Sequence, residues 1–130
     1  NGSTIISKIE TKSAMNELKS ITNKSNAILI DRGDLSRYIP IEEIPLAQEK
    51  IIRVGKSNRV PVYVATNLLE TMINESLPTR AESHDIYSTL KQGASGLVLA
   101  AESAIGINPV ECVIFLKKCI LGKNKNFKFF

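Results

Sequence analysis

The sequence predicts an α/β fold of four βα units with parallel strands, and three observations carry that expectation. Short β-branched segments recur at intervals of roughly thirty residues, the spacing of a strand, a crossover helix and the return. Each is followed by apolar residues at helical spacing, and the Val60 to Ala65 segment is continuously apolar, as in a strand buried on both faces. A complete (β/α)8 barrel takes about 250 residues, so four units in a chain of 130 amount to half of a TIM (β/α)8 barrel. Half a barrel leaves two sheet edges open. Its first and last strands are therefore expected to pair with a second copy or with the other half.

The elements follow in order. Thr4 to Ile9 alternates and is β-branched, which predicts the first strand, and Ala14, Leu18 and Ile21 mark the helix after it. Ala27 to Ile30 is the second strand, leading through Arg32-Gly33-Asp34 into a loop. A helix is expected from about Pro40, where proline suits the first turn, with Ile41, Ile44, Ala47, Ile51 and Ile52 as its apolar stripe. After the third strand, Val60 to Ala65, a short helix through Leu68, Leu69, Met72 and Ile73 is expected. Thr79-Arg80-Ala81-Glu82 has the form of a capping box and Gly93 that of a left-handed stop, which bounds the next helix. The fourth strand is expected at about Leu97 to Ala100. Asn108-Pro109-Val110-Glu111 then starts a last helix that ends near Gly122.

Composition gives one unit. With 43% hydrophobic and 23% charged residues and no shift along the chain, residues 1–122 read as one half-barrel domain, and 123–130 as a basic, aromatic C-terminal tail. The formal charge of +4 does not call for nucleic acid, because Lys117, Lys118, Lys123, Lys125 and Lys128 fall in the last fourteen residues with no aromatic platform interleaved. Phe127, Phe129 and Phe130 need cover, from missing chain or a neighbour. No apolar run approaches the roughly 20 residues of a membrane span, and no signal peptide is evident. Cys112 and Cys119 stand about 10 Å apart by helical rise, too far for a bridge, and read as packed thiols in a reducing cytoplasm. The missing initial methionine and the immediate first strand lead us to expect more chain on the N-terminal side.

Four polar clusters fall where the strands end: Lys8-Ile9-Glu10, Asp31-Arg32-Gly33-Asp34, Ala65-Thr66-Asn67 and Ala100-Ala101-Glu102-Ser103. In a parallel architecture the carboxyl ends of all strands open on one face, so these groups converge there. Lys8 and Glu10 are two apart on an extended segment and share a side. A lysine, an arginine and carboxylates together suit a divalent cation and an anionic, phosphorylated substrate. Singly the clusters are ordinary: a surface ion pair, or a turn aspartate bonded to its own backbone.

Their order is not ordinary. Ile6-Ser7-Lys8-Ile9-Glu10, Arg32-Gly33-Asp34-Leu35, Ile39-Pro40 and Pro45-Leu46-Ala47-Gln48 are followed by Val64-Ala65-Thr66, Leu69-Glu70-Thr71-Met72, Pro78-Thr79-Arg80-Ala81-Glu82 and Pro109-Val110-Glu111. This series resembles the C-terminal half of the catalytic barrel of the pyruvate kinase family, over about a hundred residues. The resemblance implies a glycolytic transferase: phosphoryl transfer from phosphoenolpyruvate to ADP, giving pyruvate and ATP, in a cytoplasmic, oligomeric enzyme. It assigns Lys8 to stabilising the transferring phosphoryl group and the enolate. Glu10 and Asp34 become ligands of a divalent cation, normally Mg2+. The backbone amides of Gly33 and Asp34 receive the substrate carboxylate, and Thr66 holds the substrate near its methylene carbon. Positioning and charge neutralisation are what phosphoryl transfer needs. Arg32 is expected to brace and orient rather than touch substrate.

The resemblance has departures. Ala100-Ala101 stands where the family has Ser-Gly, removing a hydroxyl; Asn67 replaces Gln, Ser36 a common Gly, and His84 a small residue. His84, the only histidine, is expected on a helix away from the strand ends with a surface or packing duty. In the family the nucleotide-contacting arginine, the K+ ligands, the lid and the regulatory domain lie outside this segment, so the chain alone is expected to be inactive. Two alternatives are a non-catalytic interaction or regulatory module that kept the half barrel, and a Mg2+-dependent phosphoenolpyruvate/pyruvate lyase. Partners implied are phosphoenolpyruvate or pyruvate, ADP or ATP, and a second copy or the other half of the barrel, with neither nucleic acid nor membrane. Arg-Gly-Asp without a secretory signal is not read as an adhesion motif, nor Asn23-Lys24-Ser25 and Asn74-Glu75-Ser76 as glycosylation sites.

Overall fold

The computed structural model describes residues 2–122; the expected tail, 123–130, lies outside the described residues. The strands are β1 (Ile6–Ile9), β2 (Ala27–Asp31), β3 (Val62–Ala65) and β4 (Gly96–Val98), and they form one open sheet in the order β1-β2-β3-β4. Every pairing is parallel. The helices are α1 (Lys12–Asn16), α2 (Leu18–Lys24), α3 (Arg32–Leu35), α4 (Ile44–Ser57), α5 (Arg80–Gln92), α6 (Ala101–Ala104) and α7 (Pro109–Gly122). The α/β class and the four parallel strands follow the sequence expectation.

Register explains the core. Ile9 pairs with Ile30 and Ile30 with Val64, and Ile28 with Val62, so these residues form rows on one face of the sheet. They are all buried, packed with Leu18, Ala47, Ile51 and Ile52 from α2 and α4. A second apolar cluster joins Leu68, Leu69 and Met72 to Ile86 and Leu90 of α5 and Cys112 and Leu116 of α7. The other face carries the row Lys8, Leu29, Tyr63, Gly96, none of it fully buried. Among the described residues β1 and β4 each have a strand on one side only.

Several boundaries differ from expectation, each for a local reason. β3 starts at Val62 rather than Val60, because the Val60 N–H closes a Schellman turn onto the Gly55 carbonyl at 2.9 Å and Pro61 has no N–H to offer. That turn places Arg59 in the left-handed region, at φ 57°. Gly55 is required by the close approach of α4 to β3, since a Cβ there would run into the Val62 side chain and the Val60 carbonyl. Pro40 stays extended at ψ 143°, a 3-10 turn covers Ile41–Glu43, and α4 begins at Ile44 with Pro45 in its first turn. The first helix is two, parted at Glu17. Leu68 and Leu69 are buried but not helical, and only a 3-10 turn forms at Glu70–Ile73. β4 ends at Val98 because the Ala100 N–H turns to the Glu102 carboxylate.

Other expectations hold. Thr79 and Glu82 form the full capping box, and Gly93 ends α5 at φ 107°. Asn108 precedes α7 as expected; its side-chain amide donates to the Met72 and Glu75 carbonyls, tying the start of α7 to the loop before α5. Cys112 and Cys119 are free thiols. Among the described residues no helix is long and apolar enough to cross a membrane.

Candidate functional site

The carboxyl ends of β1, β2 and β3 bring the first three clusters together. Lys8 Nζ lies 2.9 Å from Glu10 Oε2 and 3.1 Å from Asp31 Oδ2. The contact with Glu10 first, and with Asp31 next, raises the ammonium above its ordinary pKa of 10.5. Two-residue spacing put Lys8 and Glu10 on one side, as the sequence suggested. Asp31 follows from the same alternation, because Leu29 faces Lys8 and Asp31 is two residues further on.

Arg32-Gly33-Asp34 was expected in a loop and instead forms the single helical turn α3, which Asp31 caps: Asp34 N–H donates to Asp31 Oδ1 at 3.0 Å. Gly33 N–H donates to Thr66 Oγ1 at 2.7 Å. Both amides assigned to a substrate carboxylate thus have partners within the chain. Partial burial works against a charge on Asp31, but the bond from Asp34 N–H and the contact with Lys8 outweigh it and hold its carboxyl below the usual range. Asp34 is pushed the other way, up, by hydrogen bonding to Asp31 and by its charge.

Thr66 reaches Gly33 only because the backbone is held in an uncommon state. Thr66 and Asn67 have φ of 76° and 57°, a region that a β-branched residue rarely enters. Arg32 supplies the restraint. Its Nε and Nη2 donate to the Thr66 carbonyl at 3.2 and 2.7 Å, and its Nη1 and Nη2 donate to Asp85 at 2.8 and 2.9 Å. Gln48 bridges onward to Thr89 and Gln92. Arg32 therefore braces the turn after β3, as expected, but its hydrogen bonds go to Thr66, Gln48 and Asp85 and not to Glu10 or Asp34, which it had been expected to orient.

The fourth cluster behaves differently. Glu102 is 1% exposed, and its two carboxylate oxygens accept the Leu69 and Ala100 N–H groups, each at 2.9 Å. Its role is to join the end of β4 to the segment after β3. A cleft of about 410 Å³ nonetheless joins the last three clusters, lined by Asp31, Gly33, Asp34 and Thr66 together with Ala100, Ala101 and Glu102, while Lys8 and Glu10 are outside its lining. His84 is on the exposed side of α5 near Tyr87, with ring centroids 6.3 Å apart, away from this cleft.

The cluster fits a hard cation. Glu10, Asp31 and Asp34 each offer an oxygen, all within 4.8 Å of one another. Glu10 Oε2 is shielded from water and has only the charge contact with Lys8, without a directed hydrogen bond. Oxygen donors at such spacing suit Mg2+ or Mn2+ rather than a soft metal. Sequence reasoning named Glu10 and Asp34 but passed over Asp31, although the parity from Leu29 pointed to it. Gln48 stands in the Pro45-Leu46-Ala47-Gln48 motif but without a role assigned, and Asp85, 53 residues from Arg32, carried no local signal.

Comparison with known proteins gives the family. The family model "Pyruvate kinase, barrel domain" matches residues 1–113. The chain is 45% identical to the pyruvate kinase of Thermotoga maritima over 126 residues, covering 97% of this chain and 27% of that protein. It is 46% identical to the chloroplastic pyruvate kinase isozyme G of Ricinus communis over 109 residues, 84% of this chain and 26% of that one. A crystal structure of a pyruvate kinase from Cryptosporidium parvum superposes with a TM-score of 0.91 at 35% identity, over 92% of this chain and 24% of that chain. The chain spans about a quarter of the length of these relatives. With its parallel strands, its strand-end cluster and this match, the chain belongs to the pyruvate kinase family, as part of the barrel domain.

Proposed function

We propose that this chain carries part of the active-site face of a pyruvate kinase, working in the cytoplasm, in which a phosphoryl group passes from phosphoenolpyruvate to ADP. The bond between phosphorus and the enol oxygen breaks, a bond to a terminal oxygen of ADP forms, and the enolate takes a proton at its methylene carbon to give pyruvate. The observation that supports this reading is the meeting of Lys8, Glu10, Asp34 and Thr66 at the ends of three neighbouring strands.

In this reading Lys8 faces the charge on the phosphoryl group and the enol oxygen, where a fixed cation lowers the barrier by electrostatic preorganisation. The amides of Gly33 and Asp34 bind the substrate carboxylate once Thr66 and Asp31 release them. The Thr66 hydroxyl, set by the Arg32 brace, then orients the substrate near its methylene carbon. Glu10 and Asp34 would hold Mg2+, which when bound neutralises substrate oxygens and fixes their orientation.

K+ and nucleotide contacts belong to parts of the enzyme beyond this segment. The edges of β1 and β4 suit pairing with the other half of a barrel or with a second copy. The chain alone is therefore expected to form no ATP in a coupled assay with phosphoenolpyruvate and ADP. Robust turnover by the 130 residues would overturn that division of labour.

A further inference from the structure

We propose that Asp31 is a tethered anion that keeps Lys8 and the Asp34 amide occupied until a divalent cation is present, making anion binding at this site conditional on the cation. The inference rests on the pyruvate-kinase reading of the site, in which Asp31 has only to release the Asp34 amide, and makes that release depend on the cation.

Three observations carry it. Asp31, whose side chain is only 13% exposed, makes two contacts: Oδ2 with Lys8 Nζ at 3.1 Å, and Oδ1 with the Asp34 N–H at 3.0 Å. Those are the cation and one of the two amides that an incoming oxyanion needs. The other donors nearby are also engaged, since the Gly33 N–H is held by Thr66 and the Arg32 guanidinium is turned to Thr66 and Asp85.

The charge balance gives the direction. Three carboxylates whose oxygens lie within 4.8 Å of one another stand against two cations, Lys8 beside Glu10 and Asp31 and the exposed Arg37 at 3.9 Å from Asp34, so a bare oxyanion meets an excess of negative charge. A hard cation meets the opposite field and competes with Lys8 for the same carboxylate oxygens. Lys8 and the Asp34 amide then become available to the anion. The bland alternative is that Asp31 only caps α3. Asparagine caps a helix about as well as aspartate and carries no charge, so one substitution separates the two roles.

The test is a titration of the chain and of Asp31→Asn with oxalate, first in EDTA and then with saturating Mg2+, followed through the Asp34 amide resonance so that weak binding is also read. Without metal, Asp31→Asn is expected to bind oxalate about tenfold more tightly than the parent, the scale of removing one partly exposed opposing charge. With Mg2+ the difference is expected to shrink to about twofold or less. Asp31→Ala should show the same metal-free gain with a lower urea midpoint; should it fail to fold, the asparagine variant decides. Equal or weaker metal-free binding by Asp31→Asn would overturn the inference. Failure of the parent chain to bind oxalate with Mg2+ would instead sink the reading of the site, so the two failures are told apart.

Discussion

The molecule holds two kinds of carboxylate, and the contrast between them separates framework from chemistry. Glu102, at the end of β4, is buried and has both oxygens filled by backbone amides. Glu82 is similar: beyond capping α5 it accepts the Thr71 N–H at 2.8 Å and the Thr79 N–H at 2.8 Å. Glu10, Asp31 and Asp34, at the ends of β1 and β2, instead crowd one another around Lys8, with Glu10 Oε2 lacking a directed donor. A carboxylate whose lone pairs are filled by the chain holds loops together. A group of carboxylates crowded by like charges, with Lys8 and the exposed Arg37 as the cations beside them, is poised for something the chain does not supply.

Removing a framework carboxylate should cost the most stability. Glu102→Ala strips the buried Leu69 amide and the part-buried Ala100 amide of charge-assisted partners and is expected to lower the unfolding free energy by about 3 kcal/mol in urea, since an orphaned buried donor costs roughly 1–3 kcal/mol and the Ala100 amide, partly open to water, less. A loss below about 1 kcal/mol would show that the β4 end does not depend on it. Arg32→Ala should come next, at about 2 kcal/mol, because a braced, bidentate and mostly covered guanidinium is lost. It should also weaken Mg2+–oxalate binding by freeing Thr66 from its left-handed state. Arg32→Lys should restore little of either, lacking the planar fork.

Acid offers a smaller and graded test. Burial works against charge on Glu82, but the Thr71 and Thr79 amides outweigh it and hold its pKa below the ordinary 4.5. A depressed folded-state pKa contributes stability that is full above the unfolded value and is lost as pH falls through the folded one. The thermal midpoint of the chain should therefore drop on acidification below pH 4.5, and Glu82→Gln should flatten that drop. Asp34, raised by Asp31, works in the opposite sense: its contribution is fullest at low pH and fades as pH rises through its folded value. The smallest stability change is expected for Lys8→Met, since the Lys8 side chain is about half exposed. The same variant should lose oxalate binding, and the split between the two readouts marks Lys8 as part of the site.

The fold was legible because its signals are local and repeated. The β-branched strand segments, the capping box at Thr79, the stop at Gly93 and the start at Pro109 each state their conformation within a few residues. Errors gathered where backbone amides were taken by partners outside the expected element. Glu102 claims the Ala100 amide and shortens β4, and it holds Leu69 out of a helix. Gly55 claims the Val60 amide and delays β3. At the site, Lys8, Glu10, Gly33, Asp34 and Thr66 were singled out as candidates from their order along the chain, and the fold places them near one another at the ends of β1 to β3. The brace was only half visible: Arg32 stands in a recognisable motif, but Asp85 is 53 residues away and nothing in its surroundings marks it. Asp31 was hidden differently, as a strand residue in plain view whose meaning depended on the register with Lys8.

The central claim is that the ends of β1 to β3 form a cation-and-oxyanion site even in this part of the barrel. Calorimetric titration of the folded chain with oxalate in the presence of Mg2+ tests it most directly. Saturable binding at submillimolar oxalate, abolished by Glu10→Gln, is the predicted result. Absence of binding at millimolar oxalate, with the far-ultraviolet circular dichroism of the fold intact, would contradict it.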